Sequence, residues 1–79
     1  MKKRLRNFMG IMKNDLEGTT VRLIDSDLGF GIDTPYEGGL RPHVYMKYQN
    51  YFVTESELFY ENGERYCDIY VSQEVNYGH

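Results

Sequence analysis

The sequence predicts an α+β domain: one N-terminal helix packed on a small antiparallel sheet that ends in a β-hairpin. Three observations predict it. An apolar stripe of helical period lies near the N-terminus, a β-branched segment follows it, and an Asn-Gly dipeptide separates two alternating runs towards the C-terminus. Seventy-nine residues are expected to form a single domain, residues 1–79, with a thin core, since a chain this short buries only about 60% of its unfolded surface. Aromatic residues make up 15% of the chain, so rings must supply much of the buried area.

Each element has a local reason. Leu5, Phe8, Met9, Met12 and Leu16 repeat at the spacing of one helical face, which predicts a helix from about residue 3 to 15 that ends before Gly18. Thr19 to Asp25, TTVRLID, reads as a strand because its residues are β-branched or apolar. Asp25 to Gly39 carries four glycines and a proline and reads as a loop, with a short strand around Leu28 to Ile32 as an option. For Pro42 to Tyr48, periodicity does not choose between a helical turn and the entry to a strand. The hairpin is the clearest element, because a two-residue type I′ turn needs positive φ at both central residues, and Asn62-Gly63 tolerates that best.

A two-residue loop sets the hairpin register. On one face it aligns Leu58 with Cys67, Ser56 with Ile69, Thr54 with Val71 and Phe52 with Gln73, and this more apolar face is expected to meet the helix. Leu5, Phe8, Met9 and Met12 should then pack against Val21, Leu23, Leu58, Ile69 and Val71. The other face aligns Phe59 with Tyr66, Glu57 with Asp68, Glu55 with Tyr70 and Val53 with Ser72. Like charges directly opposed across a sheet destabilise it, so the Glu57–Asp68 pair is a local conflict of the kind that often marks function.

The expected binding surface is therefore Glu55, Glu57, Phe59, Tyr66, Asp68 and Tyr70, with Asp25, Asp27 and Asp33 of the glycine-rich loop as a second acidic group. Tyrosine gives a large contact area at low rotamer cost, and clustered carboxylates attract Lys and Arg, so the surface suits a basic protein partner. The plainer alternative is that cross-strand rings simply favour the strands while the acids keep the face soluble.

Charge is unevenly spread within a net of −3. Residues 1–24 hold six bases and two acids, whereas residues 25–79 hold three bases and ten acids. Lys2, Lys3, Arg4 and Arg6 could meet phosphates, but the acidic body opposes a broad approach by nucleic acid, so direct nucleic-acid binding is not expected. Asn7, Gly10, Lys13 and Asn14 interrupt any leader-like apolar run, and no run reaches membrane-spanning length, so no membrane partner is expected. One cysteine, Cys67, excludes an intramolecular disulfide, and a cytoplasmic location is expected.

Candidates for chemistry are few. A Ca²⁺ loop beginning at Asp25 would need a ligand at Gly29 and Glu at Tyr36, so no metal is expected there. Gly29-Phe30-Gly31 lacks the third glycine and the Lys-Ser/Thr of phosphate loops. His43, His79 and Cys67 would need a fourth ligand for zinc. Cys67, aligned with Leu58 on the core face, is expected to be an inert thiol. Glu57 and Asp68 have the chemistry of an acid/base pair but little concavity around them, so neither an enzyme nor a cofactor is expected.

A short helix, the strand TTVRLID, a glycine-rich loop and a terminal acidic, tyrosine-bearing hairpin together resemble small proteins carried by bacteriophages and mobile elements, the anti-CRISPR proteins among them. Some of these inhibit a host defence nuclease by presenting acids where it expects DNA phosphates. The resemblance implies a stoichiometric inhibitor in the host cytoplasm, with a basic host protein such as a nuclease as partner. The alternative is a nucleic-acid-associated regulator using the basic N-terminal helix, with a homodimer as a further option because so small a sheet exposes its edges.

Overall fold

The computed structural model describes residues 3–73. Its elements are α1 (Leu5–Met12), β1 (Thr20–Asp25), β2 (Tyr36–Glu37), α2 (Pro42–Tyr48), β3 (Phe52–Glu61) and β4 (Glu64–Ser72). The α+β class holds, with two differences from expectation. A second helix replaces the undecided segment before β3, and the four-stranded sheet, in the order β2-β1-β4-β3, is mixed rather than wholly antiparallel. β1 runs parallel to β4, with Arg22 beside Asp68 and Leu23 beside Ile69.

The helices are short and are held mainly by packing and by borrowed backbone partners. Two N–H groups at the start of α1, which no helical carbonyl can reach, are satisfied from the connection before β3: Leu5 N–H donates to the Tyr51 carbonyl at 2.7 Å and Arg6 N–H to that of Gln49 at 3.0 Å. α1 ends at Met12, three residues before the expected end, and turns lead on to Gly18, whose φ of 76° suits glycine. α2 starts with Pro42 at a position where a missing N–H costs nothing, and it buries Val44. The optional strand around Leu28 to Ile32 is reduced to one bridge between Gly31 and Ile24, and the loop forms the two-residue strand β2 instead.

The core lies between the helices and one face of the sheet. Leu5, Leu16, Val21, Leu23, Val44, Cys67, Ile69 and Val71 are buried, with Phe8, Met9, Met12 and Val53 packed half-buried against them. Alternation along β1 and β4 puts Val21, Leu23, Cys67, Ile69 and Val71 on this face, where each fully buried aliphatic side chain contributes about 1.5–3 kcal/mol. Leu58 was expected in the core but is 47% exposed.

Asn62 and Gly63 have φ of 54° and 80°, as a type I′ turn requires. From Glu61–Glu64 to Glu55–Tyr70 the register matches the two-residue loop, but a bulge between Val53 and Glu55 then shifts it by one. Val53 pairs with Val71 and Phe52 with Ser72, in place of the expected Thr54–Val71, Phe52–Gln73 and Val53–Ser72. The bulge turns apolar Val53, instead of Thr54, towards the core, and the Thr54 hydroxyl donates to the Tyr70 carbonyl at 3.2 Å.

Candidate functional site

Both helices contribute to the core face, leaving the residues of opposite parity on an open sheet face. Strand pairing arranges that face in rows. Glu37, Thr20, Tyr66 and Phe59 form one, Arg22, Asp68 and Glu57 the next, and Ile24, Tyr70 and Glu55 the third. The six hairpin residues expected at the binding surface therefore do share one face. Glu55 and Glu57 are exposed, Phe59, Tyr66 and Tyr70 are half-buried, and Asp68 is buried.

The burial of Asp68 corrects the expected charge conflict. Asp68 does face Glu57, but Arg22 reaches over from β1 and binds it with both arms, Nε to Oδ1 at 2.6 Å and Nη2 to Oδ2 at 2.9 Å. A bidentate, charge-assisted pair of this kind offsets both the desolvation of Asp68 and its repulsion by Glu57. The hydrogen bond to Asp68 also raises the pKa of Arg22 above its ordinary value. The same guanidinium carbon lies 5.3 Å from the ring centroids of both Phe59 and Tyr66, which stack at 5.5 Å with 16° between planes. Arg22 thus ties β1, β4 and β3 together across the open face. Sequence reasoning missed it, although a lone arginine between Val21 and Leu23 on a strand was a sign of a charge facing away from the core.

Exposed carboxylates consequently gather along β3 and the hairpin turn and not at the centre of the face. Glu55, Glu57, Glu61 and Glu64 are exposed. Tyr66 donates its hydroxyl hydrogen bond to Glu64 at 3.0 Å, and this bond raises the phenol pKa.

The loop aspartates serve local structure. Asp25 Oδ1 accepts the N–H groups of Asp27 and Leu28, an Asx turn, and Asp27 Oδ2 accepts the Ser72 hydroxyl at 2.9 Å. Asp33 pairs with Arg41 at 3.1 Å; a backbone hydrogen bond from Thr34 and the contact with Arg41 hold its carboxyl below the usual carboxylate range. Asp33 also lines a groove of about 380 Å³ with Arg22, Ile24, Gly31, Pro35 and Asp68. Among the described residues no three His, Cys, Asp or Glu side chains are grouped to hold a metal ion. Cys67 is buried, and that burial pushes its thiol pKa up. His79 lies outside the described residues.

No family model, curated protein or solved structure matches this chain. The site's own geometry therefore carries the functional argument. Among the described residues no helix is long and apolar enough to cross a membrane.

Proposed function

We propose that this chain is a non-enzymatic, stoichiometric protein-binding protein that engages a basic partner through the open face of the β3–β4 hairpin. The observation that carries the reading is the uncovered sheet face, where exposed Glu57 lies one row from the Phe59–Tyr66 stack and exposed Glu55 one row beyond, while the core and both helices lie behind it. Stacked rings held by Arg22 supply a rigid contact area, and the carboxylates beside them select for Lys and Arg. Asp68 enters this surface as the anchor of Arg22. The specific form we favour is a phage-type inhibitor of a host defence or nucleic-acid-processing enzyme in the host cytoplasm, with carboxylates meeting basic groups that otherwise bind phosphate. The resemblance to small acidic phage proteins supports that form through architecture and composition.

The alternative use of the basic N-terminus gains no support from the geometry. Arg4 lies 4.9 Å over the Phe52 ring and donates to the Asn50 carbonyl at 3.1 Å, so one of the four bases is engaged in the fold. Lys2 lies outside the described residues.

The test immobilises the full chain, recovers its partner from bacterial lysate and measures that partner's affinity for wild type, Glu57→Lys and Tyr70→Ala beside thermal melts. Both variants should melt near wild type and bind at least about tenfold more weakly. Unchanged affinity in both would contradict this choice of surface.

A further inference from the structure

β3 is an edge strand, and among the described residues β4 is the one strand beside it. Antiparallel pairing directs alternate backbone N–H and C=O groups to either side, so half of those on β3 point away from the sheet. At its start this outer edge is already used by the chain's own basic segment. Arg4 bridges Phe52 in antiparallel sense, and Val53 N–H donates to the Lys3 carbonyl at 2.8 Å. From Thr54 to Glu61 no described residue pairs with the outer edge.

The side chains along that open stretch alternate in chemistry. Glu55, Glu57 and Glu61 belong to the open face, while Leu58, 47% exposed, and Tyr60, 74% exposed, point to the opposite side. A strand added here would need basic side chains on one face and apolar ones on the other. A second copy of this chain does not meet that need: antiparallel β3-to-β3 pairing would bring Glu55, Glu57 and Glu61 of the two copies together, and like charges across strands repel.

We infer that the outer edge of β3 from Thr54 to Glu61 takes an extended basic segment of a partner protein as a fifth strand. Lys or Arg side chains lie against Glu55, Glu57 and Glu61, and alternate apolar side chains cover Leu58 and Tyr60. The inference rests on the reading of this chain as a binder of a basic protein, and adds backbone pairing to it. The Lys3–Arg4 segment shows that the start of this edge accepts an extended segment in antiparallel backbone pairing.

The full chain is titrated with a short peptide that alternates Lys with Val, with a scrambled peptide of equal composition, and with two versions of the alternating peptide N-methylated at opposite sets of amides. The expected result is binding of the alternating peptide with slowed hydrogen exchange of outward amides between Glu55 and Glu61. One methylated version should bind at least about tenfold more weakly while the other is little changed, and the scrambled peptide and the Glu57→Lys chain should each show a loss of similar size. Equal binding of all four peptides with β3 amides unprotected would overturn strand addition while leaving recognition by charge in place. Absence of binding by every peptide would overturn strand addition too, and the recovered partner's affinity for Glu57→Lys would then decide the broader reading separately.

Discussion

Arg22 determines what the open face presents. By taking both oxygens of Asp68 it removes the repulsion that the Glu57–Asp68 alignment would otherwise carry, and it leaves Glu55 and Glu57 as the free acids. Arg22→Ala should cost about 2 kcal/mol and lower Tm by roughly 10 °C; the cost stays below the 3–5 kcal/mol of a fully buried pair because the Arg22 side chain keeps 37% of its exposure. Removing Asp68 in the same chain should recover part of that loss, since the uncompensated charge goes with it. An additive double variant would show that the pair is not coupled. Asp33 yields a pH test. Its folded pKa is depressed by Thr34 and Arg41, so its stabilisation is complete above the ordinary carboxylate value of about 4 and is lost as the pH falls through the lower folded value. Asp33→Asn should therefore melt below wild type at neutral pH, and the gap should close in acid from about pH 4 downward. A gap independent of pH would place the effect elsewhere than in the charge.

The hairpin was legible because its signals are local: the Asn62-Gly63 turn sets the register and alternation assigns the faces, so six of the expected site residues were correctly grouped. The bulge at Thr54 had no such signal, since no glycine marks it, and only the competition between Val53 and Thr54 for the core decides it. Parallel pairing of β1 with β4 was not legible either, because partners far apart in the chain leave no period in the sequence; with it the role of Arg22 was lost. α2 was ambiguous for a related reason, seven residues being too few for periodicity to outweigh the packing of Val44. The stripe on α1 was readable as a stripe but not as a ranking. Leu5 is fully buried while Phe8 is half-buried, so Leu5→Ala should cost about 3 kcal/mol and Phe8→Ala distinctly less. Denaturant melts of the two variants check this, and the reverse order would mean that α1 is rotated about its axis.

The molecule is elongated, 41 × 22 × 21 Å with a radius of gyration of 12.2 Å. Its two short helices cover only part of the sheet, and the hairpin end, with Tyr60 and Leu58 exposed, stands clear of them. Arg22 sits on the open face, while the other described N-terminal bases lie at or beside α1; exposed carboxylates line β3 and its turn, so the chain presents two unlike surfaces that adjoin where Arg4 bridges Phe52. The measurement that separates these surfaces most directly is an amide and side-chain NMR map of the full chain on addition of the recovered partner. The largest changes should fall on Glu55, Glu57, Phe59, Tyr66 and Tyr70, with Asn7 to Met12 of α1 little affected. Changes concentrated on Lys3 to Met12, with the hairpin silent, would contradict binding through the open face.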